Sequence, residues 1–240
     1  MSRFKKIFSY LKEKGFWWTL RKVFCAIFYR AKDLIMDFYL RFKPKRSFNF
    51  RGQAHQYLYR VYNQTWRGER TVEIPIIWRY VTEAKGKRIL EVGNVLQNYY
   101  SCDHDILDKY EPGPGVINDD VLTFKPEYPY DLIVSISTME HVGWDEEKKE
   151  PDKIKRSFEN LKKCLAPHGK IVATMPLGYN RHLDNFLREG SMKFDEQYFM
   201  KRISQTNEWR EVSHKEVEDA IYGYPYHFAN AIVIGIYHKK

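Results

Sequence analysis

The sequence predicts an α/β protein with a mainly parallel sheet in three layers, preceded by a helical arm. Two short apolar runs carry most of this prediction: residues 88–92 end at Gly93, and residues 131–137 lead into a polar stretch that contains His141. Short, apolar runs of this kind are typical of strands that are buried on both faces, as in parallel sheets. Segments with helical spacing alternate with these strands, which favours helices on both faces of the sheet.

Composition and charge separate the arm from the rest of the chain. The 240 residues are 43% hydrophobic, which is enough for a sizeable core and excludes a disordered chain. Residues 1–46 hold 13 Lys/Arg against 3 Asp/Glu, whereas the remainder holds 27 against 28. The basic character therefore belongs to the arm. Cys25, Cys102 and Cys164 form no close pair and have no metal-ligand spacing, which indicates a reducing compartment and no structural zinc.

The arm, residues 1–50, interleaves aromatic and basic side chains. Two apolar stripes have helical spacing, one from Phe4 to Leu11 and one from Leu20 to Phe38. No uncharged run approaches the roughly 20 residues that cross a bilayer, and no cleavable secretory signal is evident. We therefore expect amphipathic helices that lie on an anionic membrane surface at the cytoplasmic side, without a signal peptide or a transmembrane helix. Packing against protein, or contact with nucleic acid, are the alternatives.

The elements behind the arm follow in chain order. A polar stretch containing Pro and Gly, residues 44–52, predicts the boundary of the arm. Residues 51–86 form a predicted lid or helical region, with a helix that begins at Ile74 and ends near residue 85. Residues 87–240 form the predicted sheet domain. Its strands are expected at residues 88–92, 106–107, 116–117, 131–137, 170–175, 208–212 and 229–238, and its helices from Pro151 and at 214–222. Residues 200–204 would face the carboxyl edge of the sheet if they fold back as a cap.

Several of these segments together resemble class I S-adenosylmethionine (SAM)-dependent methyltransferases over residues 87–240. The matching pieces are Ile89-Leu-Glu-Val-Gly93, the run from Asp131 to Val142, the run from Leu161 to Ile171 and Pro176-Leu-Gly178. The resemblance implies a three-layer, Rossmann-like sheet of seven strands whose last strand runs antiparallel, with SAM across its carboxyl edge. The ending Glu140-His141-Val142 is similar to the small-molecule and lipid-associated branches, including enzymes of surface-polysaccharide pathways.

The turn after the first strand departs from the family pattern. The family has two or three glycines there, whereas this chain keeps only Gly93. Extra glycines allow the backbone to approach a ligand closely. Their absence implies either a changed seat for SAM or a degenerate domain that serves as an interaction module.

Cofactor-binding candidates lie at the ends of the first four strands. Asp108 follows the second strand, where a carboxylate can accept hydrogen bonds from both ribose hydroxyls; a surface ion pair with Lys109 is the alternative. By the resemblance, Asp120 lies near the adenine amine, with Asp119 as a neighbouring possibility. The full set of candidates is Glu91, Gly93, Asn94, Asp108, Asp120 and Ser137. Glu91 and Gly93 have a plain reading as a strand end and a turn.

Catalytic and substrate-binding candidates follow the fourth and fifth strands and precede the first. His141 is the candidate general base, with Glu140 orienting His141 or the substrate. The alternative for His141 is a structural role as a helix cap or a backbone hydrogen-bond partner. The substrate-binding candidates are Trp66, Arg70, Tyr179 and Asn180, and Arg67 and Glu73 lie in the same lid stretch as the first two. Arg181 and His182 are further candidates, for which the alternative is the start of a solvated loop. No metal site is expected.

These observations predict an enzyme that transfers a methyl group from SAM to a hydroxyl of a glycan, a lipid-linked sugar or a similar amphiphilic acceptor at the cytoplasmic membrane face. A non-catalytic interaction module is one alternative. A nucleic-acid methyltransferase that uses the basic arm is another, although Ser135-Ile-Ser-Thr138 lacks the Asn/Asp-Pro-Pro-aromatic signature of amino-group methylases. Nucleic acid is therefore not the expected partner. A metal-assisted enzyme would need clustered carboxylates near the fourth strand.

Overall fold

The computed structural model describes residues 16–240, apart from several side chains of the first helix. The chain divides into two compact units. The first comprises Met1–Pro44 and Tyr59–Val61, and the second comprises Lys45–Leu58 and Tyr62–Lys240.

The described part of the first unit is dominated by one helix, α1 (Phe16–Phe42). It contains the second predicted stripe, whereas the first stripe, Phe4 to Leu11, lies outside the described residues. Most of the large apolar side chains of this stripe face solvent. Phe24, Phe28, Leu34, Ile35 and Phe38 are 59–70% exposed. Within the described residues, no helix has an apolar stretch long enough to span a bilayer.

The polar stretch predicted over residues 44–52 is a β-hairpin rather than a loop. Strands β1 (Ser47–Phe50) and β2 (Gln53–Gln56) pair antiparallel around the turn Arg51-Gly52. Both turn residues have positive φ, 51° and 71°, as a tight hairpin turn requires. Phe48 and Phe50 are buried, because alternate side chains of a strand share one face.

The second unit is built on one eight-stranded sheet. Its strands are β3 (Ile89–Val92), β4 (Asp105–Leu107), β5 (Val116–Ile117), β6 (Tyr130–Ile136), β7 (Leu165–Pro176), β8 (Glu196–Arg202), β9 (Trp209–Val212) and β10 (Ala231–His238). In space the order is β5-β4-β3-β6-β7-β10-β8-β9. The strands from β3 to β7 pair parallel, and β10 runs antiparallel between β7 and β8. The predicted mainly parallel sheet with an antiparallel last strand is confirmed, and β8, which was not predicted, makes it eight-stranded.

Helices cover both faces of the sheet. On one face, α2 (Arg70–Glu83) packs Ile74 and Ile77 into a cluster with Leu132. On the other face, α3 (Lys153–Cys164) packs Phe158 into a cluster with Ile133 and Leu90. Leu132 and Ile133 are neighbours on β6 and point to opposite faces, so the strand is buried on both sides. Each such buried side chain contributes roughly 1.5–3 kcal/mol.

Three element predictions in the C-terminal half are wrong. Residues 200–204 do not form a cap, because Met200 is fully buried within strand β8. The helix expected at 214–222 is only the 3-10 turn His214–Glu216, closed by a capping box between Ser213 and Glu216. After this turn the backbone of Ala220 passes close to Gly178. A Cβ added at Gly178 would lie 2.2 Å from the carbonyl oxygen of Ala220. The loop expected after β7 contains a helix, α4 (Arg181–Arg188).

Candidate functional site

The carboxyl ends of β3, β4, β6 and β7 meet at one edge of the sheet. The chain leaves β3 toward β4 on one side and later returns to β6 on the other side, so the edge has a topological switch point. Ligands of open α/β sheets bind at such points. Two clefts open there, with Gly93 and Asp108 beside the first and Ser137 and Pro176 beside the second.

The first, which we name the β3–β4 cleft, has a volume of about 470 Å³. This volume lies within the range of small-molecule sites. Its walls include four of the predicted cofactor residues, together with the predicted base His141. The residues that define the cleft are Gly93, Asn94, Val95, Asp108, Lys109, Asp119, Asp120, Thr138, His141, Asp145 and Glu146, with Tyr62, Asn63 and Arg70 at its rim.

Asp108 holds the loops on both sides of this cleft. Its Oδ2 accepts a hydrogen bond from the backbone N–H of Asn94 at 3.1 Å. Its Oδ1 accepts from the N–H groups of Tyr110 and Glu111 at 2.9 and 2.8 Å. A carboxylate can accept about four hydrogen bonds, so Asp108 keeps the capacity for a ligand hydroxyl. The ion pair with Lys109 that the sequence left open is formed by Asp120 instead, at 2.8 Å.

Glu91 stabilises the turn after β3 by accepting hydrogen bonds from its backbone. Its Oε1 accepts hydrogen bonds from the N–H groups of Val95 and Leu96 at 2.9 and 2.8 Å, and its Oε2 lies 3.0 Å from His104 Nε2. Glu91 is fully buried and does not line the cleft. The predicted direct contact between Glu91 and the cofactor is therefore replaced by support of the turn.

Position 93 requires glycine because of its backbone conformation and because of a neighbouring side chain. Its φ is +89°, and a Cβ there would lie 2.2 Å from Thr138 Oγ1. The space that a side chain would occupy is thus filled by Thr138, which follows β6. This contact joins the ends of the two central strands.

Asn94 carries the observation that fits a bound polar ligand. Its side chain lines the β3–β4 cleft and is 9% exposed. Among the described residues, its Oδ1 has no hydrogen-bond partner. A buried carbonyl oxygen without a partner is costly, and a ligand with an N–H or O–H group would satisfy it.

Asp120 belongs to a charged network at the far wall. Its Oδ2 accepts from Lys109 and Lys153, and Lys153 also pairs with Glu146 at 2.7 Å. Partial burial opposes ionisation of Asp120, but the two lysines outweigh it and lower its pKa to about 2. Asp119 lines the same wall, so both neighbouring positions face the cleft.

The second cleft, which we name the β6–β7 cleft, has a volume of about 290 Å³. It is defined by Asn63, Gln64, Gly68, Glu69, Arg70, Ser137, Glu140, His141, Pro176, Tyr179, Tyr222 and Phe228. Four of these are non-glycine residues with positive φ: Asn63, Gln64, Ser137 and Phe228. Such conformations each cost about 1–3 kcal/mol and concentrate at functional sites.

His141 lies in the walls of both clefts. Its Nδ1 pairs with the carboxylate of Asp145, which also accepts a hydrogen bond from the Tyr179 hydroxyl at 2.6 Å. Partial burial works against the ionised form of Asp145, but these two partners lower its pKa. An ionised Asp145 on Nδ1 leaves Nε2 of a neutral His141 free to accept a proton.

Glu140 does not orient His141. Its Oε1 lies 3.6 Å from His141 Nε2, which is beyond hydrogen-bond distance. Asp145 takes the orienting role, and the sequence signal that could have identified it is its i+4 spacing from His141. Glu140 is 1% exposed, and burial raises its pKa well above the usual range. The second role that the sequence allowed, orientation of the substrate, is the one its position fits.

Other predicted site residues differ in placement. Ser137 lines the β6–β7 cleft rather than the β3–β4 cleft and donates a hydrogen bond to Glu73 Oε1 at 2.6 Å. Asn180 is buried, caps α4 and donates to the carbonyl of Glu140, so it contacts neither cleft. Trp66 also lines neither cleft. Its predicted neighbour Arg70 lines both and donates to the carbonyls of Ile136 and Ser137.

Two further findings concern groups that the sequence analysis discussed. Among the described residues, no three His, Cys, Asp or Glu side chains are grouped to hold a metal ion. Glu69, Tyr222 and Phe228 form part of the β6–β7 cleft, although no local pattern selects them. Glu69 precedes α2, whereas Tyr222 and Phe228 lie between β9 and β10, so only the fold brings them together.

A search of protein-family models found no match for the chain, and a search of curated proteins found none. Solved structures do show similarity. The N-methyltransferase NodS from Bradyrhizobium japonicum, solved in complex with S-adenosyl-L-homocysteine (SAH), is 12% identical; the match covers 69% of this chain and 85% of that one, with a TM-score of 0.45. A SAM-dependent methyltransferase from Archaeoglobus fulgidus is 14% identical over 75% of this chain and 98% of that one, with a TM-score of 0.44.

A possible histamine N-methyltransferase from Thermotoga maritima is 12% identical over 69% of this chain and 92% of that one, with a TM-score of 0.42. Similarity at this level assigns neither an activity nor an acceptor. The sheet itself assigns the fold, since its five parallel strands, β3 to β7, and its antiparallel last strand, β10, are those that the resemblance implies. The chain thus has the Rossmann-like fold of class I SAM-dependent methyltransferases.

Proposed function

We propose that the chain is a SAM-dependent methyltransferase that methylates a hydroxyl of a glycan, a lipid-linked sugar or a similar amphiphilic acceptor. One observation carries this proposal. His141, paired with an ionised Asp145, lies in the walls of both clefts at the switch point of the sheet. A donor in one cleft and an acceptor in the other would meet at this side chain.

The residues of the β3–β4 cleft fit SAM. Asp108 has remaining capacity for the ribose hydroxyls, Asp119 and Asp120 line the wall assigned to adenine, and Asn94 Oδ1 lacks a partner within the described chain. When bound, SAM supplies a methyl group that its sulfonium activates: the bond from the methyl carbon to sulfur breaks, and sulfur keeps the electron pair. The residues of the chain have to hold the acceptor and remove its proton.

His141 is placed to remove that proton. Asp145 fixes Nδ1 as the protonated nitrogen, so Nε2 is the basic one, and Nε2 faces Glu140 in the β6–β7 cleft. A hydroxyl in this cleft would pass its proton to Nε2 as its oxygen forms the new bond to the methyl carbon. General-base assistance of this kind contributes about 10²–10⁴-fold to a rate.

The first test is calorimetric titration of the full chain with SAM and SAH. We expect binding to the wild type and a loss in Asp108→Asn, because an amide cannot accept on both of its terminal atoms. Asp103→Asn, at an exposed position outside the cleft, is the matched control. Absence of SAH binding to the folded wild type would contradict the proposal and favour a degenerate interaction module.

The arm is the basis for placing the enzyme on the cytoplasmic face of a membrane. The exposed stripe of α1 offers aromatic and aliphatic side chains to a partner, and the arm carries a strong excess of basic residues. Apolar insertion together with attraction to anionic lipid holds amphipathic helices at membrane surfaces.

Vesicle sedimentation of the full chain tests this placement. We expect binding to vesicles that contain phosphatidylglycerol, weaker binding at high salt, and little binding to pure phosphatidylcholine. Replacing Phe24, Phe28 and Phe38 together with serine removes roughly 1.5–3 kcal/mol per buried side chain and should abolish binding. Tyr128→Ser, at a 60% exposed aromatic outside the arm, is the control. Preference for an oligonucleotide over these vesicles would support the nucleic-acid alternative.

A further inference from the structure

The β6–β7 cleft is unusually rich in carboxyl groups. Glu69 and Glu140 lie in its wall, and Glu73 lies directly behind Ser137. All three are buried, at 8%, 1% and 0% exposure. The guanidinium of Arg70 is the cation among these wall residues, and its donors are directed elsewhere: to the carbonyl of Ile136 at 2.6 Å, to the carbonyl of Ser137 at 3.3 Å, and toward Glu73 at 3.7 Å.

Behind the wall, Glu73 Oε2 has no hydrogen-bond partner among the described residues, and in the wall itself the interactions of Glu140 are incomplete. Among the described residues, its Oε2 has no hydrogen-bond partner, and the atom is shielded from solvent. An unsatisfied buried carboxyl oxygen is costly, so its presence in a cleft wall calls for a ligand donor. Burial raises the pKa of Glu140, and the nearby Glu73 and Glu69 raise it further, whereas Arg70 opposes them. A positive charge in the cleft would relieve this repulsion.

Aromatic rings supply another part of the wall. Tyr179 and Tyr222 pack edge to face with centroids 5.0 Å apart, and the ring of Phe228 lies over Gly68, 3.3 Å from the position of a Cβ there. Aromatic faces beside a carboxylate bind ammonium groups through their negative π-surface as well as through the charge. The combination is therefore selective for a cation with carbon substituents rather than for a free metal ion.

Several hydrogen-bond donors of the cleft wall are already engaged. The Tyr179 hydroxyl donates to Asp145, and the Arg70 guanidinium donates to the end of β6. Burial, followed by the three carboxyls, raises the pKa of Tyr222 to about 12, so its hydroxyl stays neutral and can donate or accept. The side-chain amides of Asn63 and Gln64 also line the cleft. Within the described chain none of these groups donates to Glu140 Oε2, so this oxygen needs a donor from the ligand.

We propose, resting on the proposed function, that the methyl acceptor carries an amine, which Glu140 binds as an ammonium group between Tyr179, Tyr222 and Phe228. The amine is the recognition group of the acceptor, and the hydroxyl that loses its proton to His141 is the methylated group. An acceptor with the same shape but an uncharged group in place of the amine binds weakly, because it leaves the Glu140 carboxyl without a countercharge.

The test uses matched pairs of small probes that differ in this group alone: glucosamine with glucose, and tyramine with tyrosol. Each is titrated by calorimetry into the full chain with SAH present and absent. We expect the wild type to bind at least one amine at least tenfold more tightly than its neutral partner, as a charged hydrogen bond provides. In Glu140→Gln this preference should disappear, while affinity for the neutral partners stays unchanged.

A second measurement does not depend on a variant. Burial raises the pKa of Glu140, and an ammonium group bound beside a carboxyl lowers its pKa. Capture of an ammonium group should therefore release protons over the pH range in which Glu140 titrates, and capture of a neutral probe should release none. Titration across a series of pH values, each in two buffers with different heats of ionisation, measures this release. Glu218→Gln, the same substitution at an exposed site outside both clefts, should keep the amine preference and the proton release.

Equal affinity for amines and their neutral partners, failure of both amines to bind, or an amine preference that survives in Glu140→Gln would each overturn the inference. SAH titration of the same preparations separates two failures. SAH binding without amine preference overturns the inference and leaves the proposed function standing. Loss of SAH binding overturns the proposed function and, with it, the inference.

Discussion

The two clefts lie at the same edge of the sheet and differ in how their carboxyl groups are satisfied. In the β3–β4 cleft, Asp108 accepts three backbone hydrogen bonds and Asp120 pairs with two lysines. In the β6–β7 cleft, Glu140 has an oxygen without a partner in the described chain, and four positions have strained backbone. The charged side chains named in the first cleft already have partners, whereas a buried carboxyl of the second cleft keeps an oxygen without one; the unpartnered oxygen of the first cleft belongs to the uncharged amide of Asn94.

We infer from this difference which of the two clefts discriminates between ligands. A cleft whose charges are already paired can hold a common donor molecule without changing its own ionisation. A cleft with unpaired buried carboxyls discriminates, because a wrong ligand leaves the cost of burial in place. We therefore propose that the unsatisfied carboxyl and the backbone strain around it mark the side of the site that selects the acceptor.

The largest expected effect tests whether His141 joins the two clefts. In His141→Ala, turnover of any acceptor that the wild type methylates should fall by about 10²–10⁴-fold. SAH affinity should remain, because the side chain acts on the acceptor. Transfer of labelled methyl groups and SAH calorimetry measure the two quantities. His214→Ala, outside both clefts, is the control, and retained turnover in His141→Ala would remove this residue from the mechanism.

The next effect tests the contact between the strand ends that border the clefts. Gly93→Ala should lower the free energy of unfolding by about 3 kcal/mol, because it adds a clash with Thr138 to a left-handed backbone. Gly86 is a matched control: its φ is +82°, but nothing lies within 4 Å of its added Cβ. Gly86→Ala should therefore lose only about 1 kcal/mol. Equal losses in urea denaturation would show that the Thr138 contact contributes nothing.

A third effect concerns the buried carboxyls behind the β6–β7 cleft. Burial raises the pKa of Glu73 from 4.5 to about 7. Since the folded state binds the proton more tightly, stability should be greatest below pH 4.5 and fall as the pH rises to about 7. Glu73→Gln should remove this slope and be more stable above pH 7 by up to about 3 kcal/mol. Parallel pH profiles of wild type and variant, with Glu218→Gln as reference, would contradict the assignment.

The smallest effect has the opposite sign and belongs to the β3–β4 cleft. The lysine partners lower the pKa of Asp120 from 3.8 to about 2. Its stabilisation is therefore present above pH 3.8 and is lost as the pH falls toward 2. Asp120→Asn should cost about 1–2 kcal/mol at neutral pH, and the difference from wild type should shrink on acidification. A constant difference across that range, relative to Asp103→Asn, would contradict the pairing.

Much of the fold and of the first cleft follows from local sequence. Strands such as Ile89–Val92 and Tyr130–Ile136 are apolar runs of the right length, and the residues at their ends were predicted to lie at one edge. The strand Glu196–Arg202 was missed because its burial is partial along most of its length, so it lacks a clear apolar run. The helix predicted at 214–222 failed because periodicity cannot register the close approach of Ala220 to Gly178.

The sequence by itself determined most strands of the sheet, where the turn after β3 lies, and that the acids after the strands face a common edge, because burial and period are properties of neighbouring residues. Only the tertiary structure decided which side chains meet there. Ser137 turns to Glu73, 64 positions away, and Arg70 spans 66 positions to the carbonyl of Ile136. Whether a buried carboxyl such as Glu140 finds a partner depends on such long-range neighbours, whose positions are fixed by the packing of the whole sheet rather than by any local pattern.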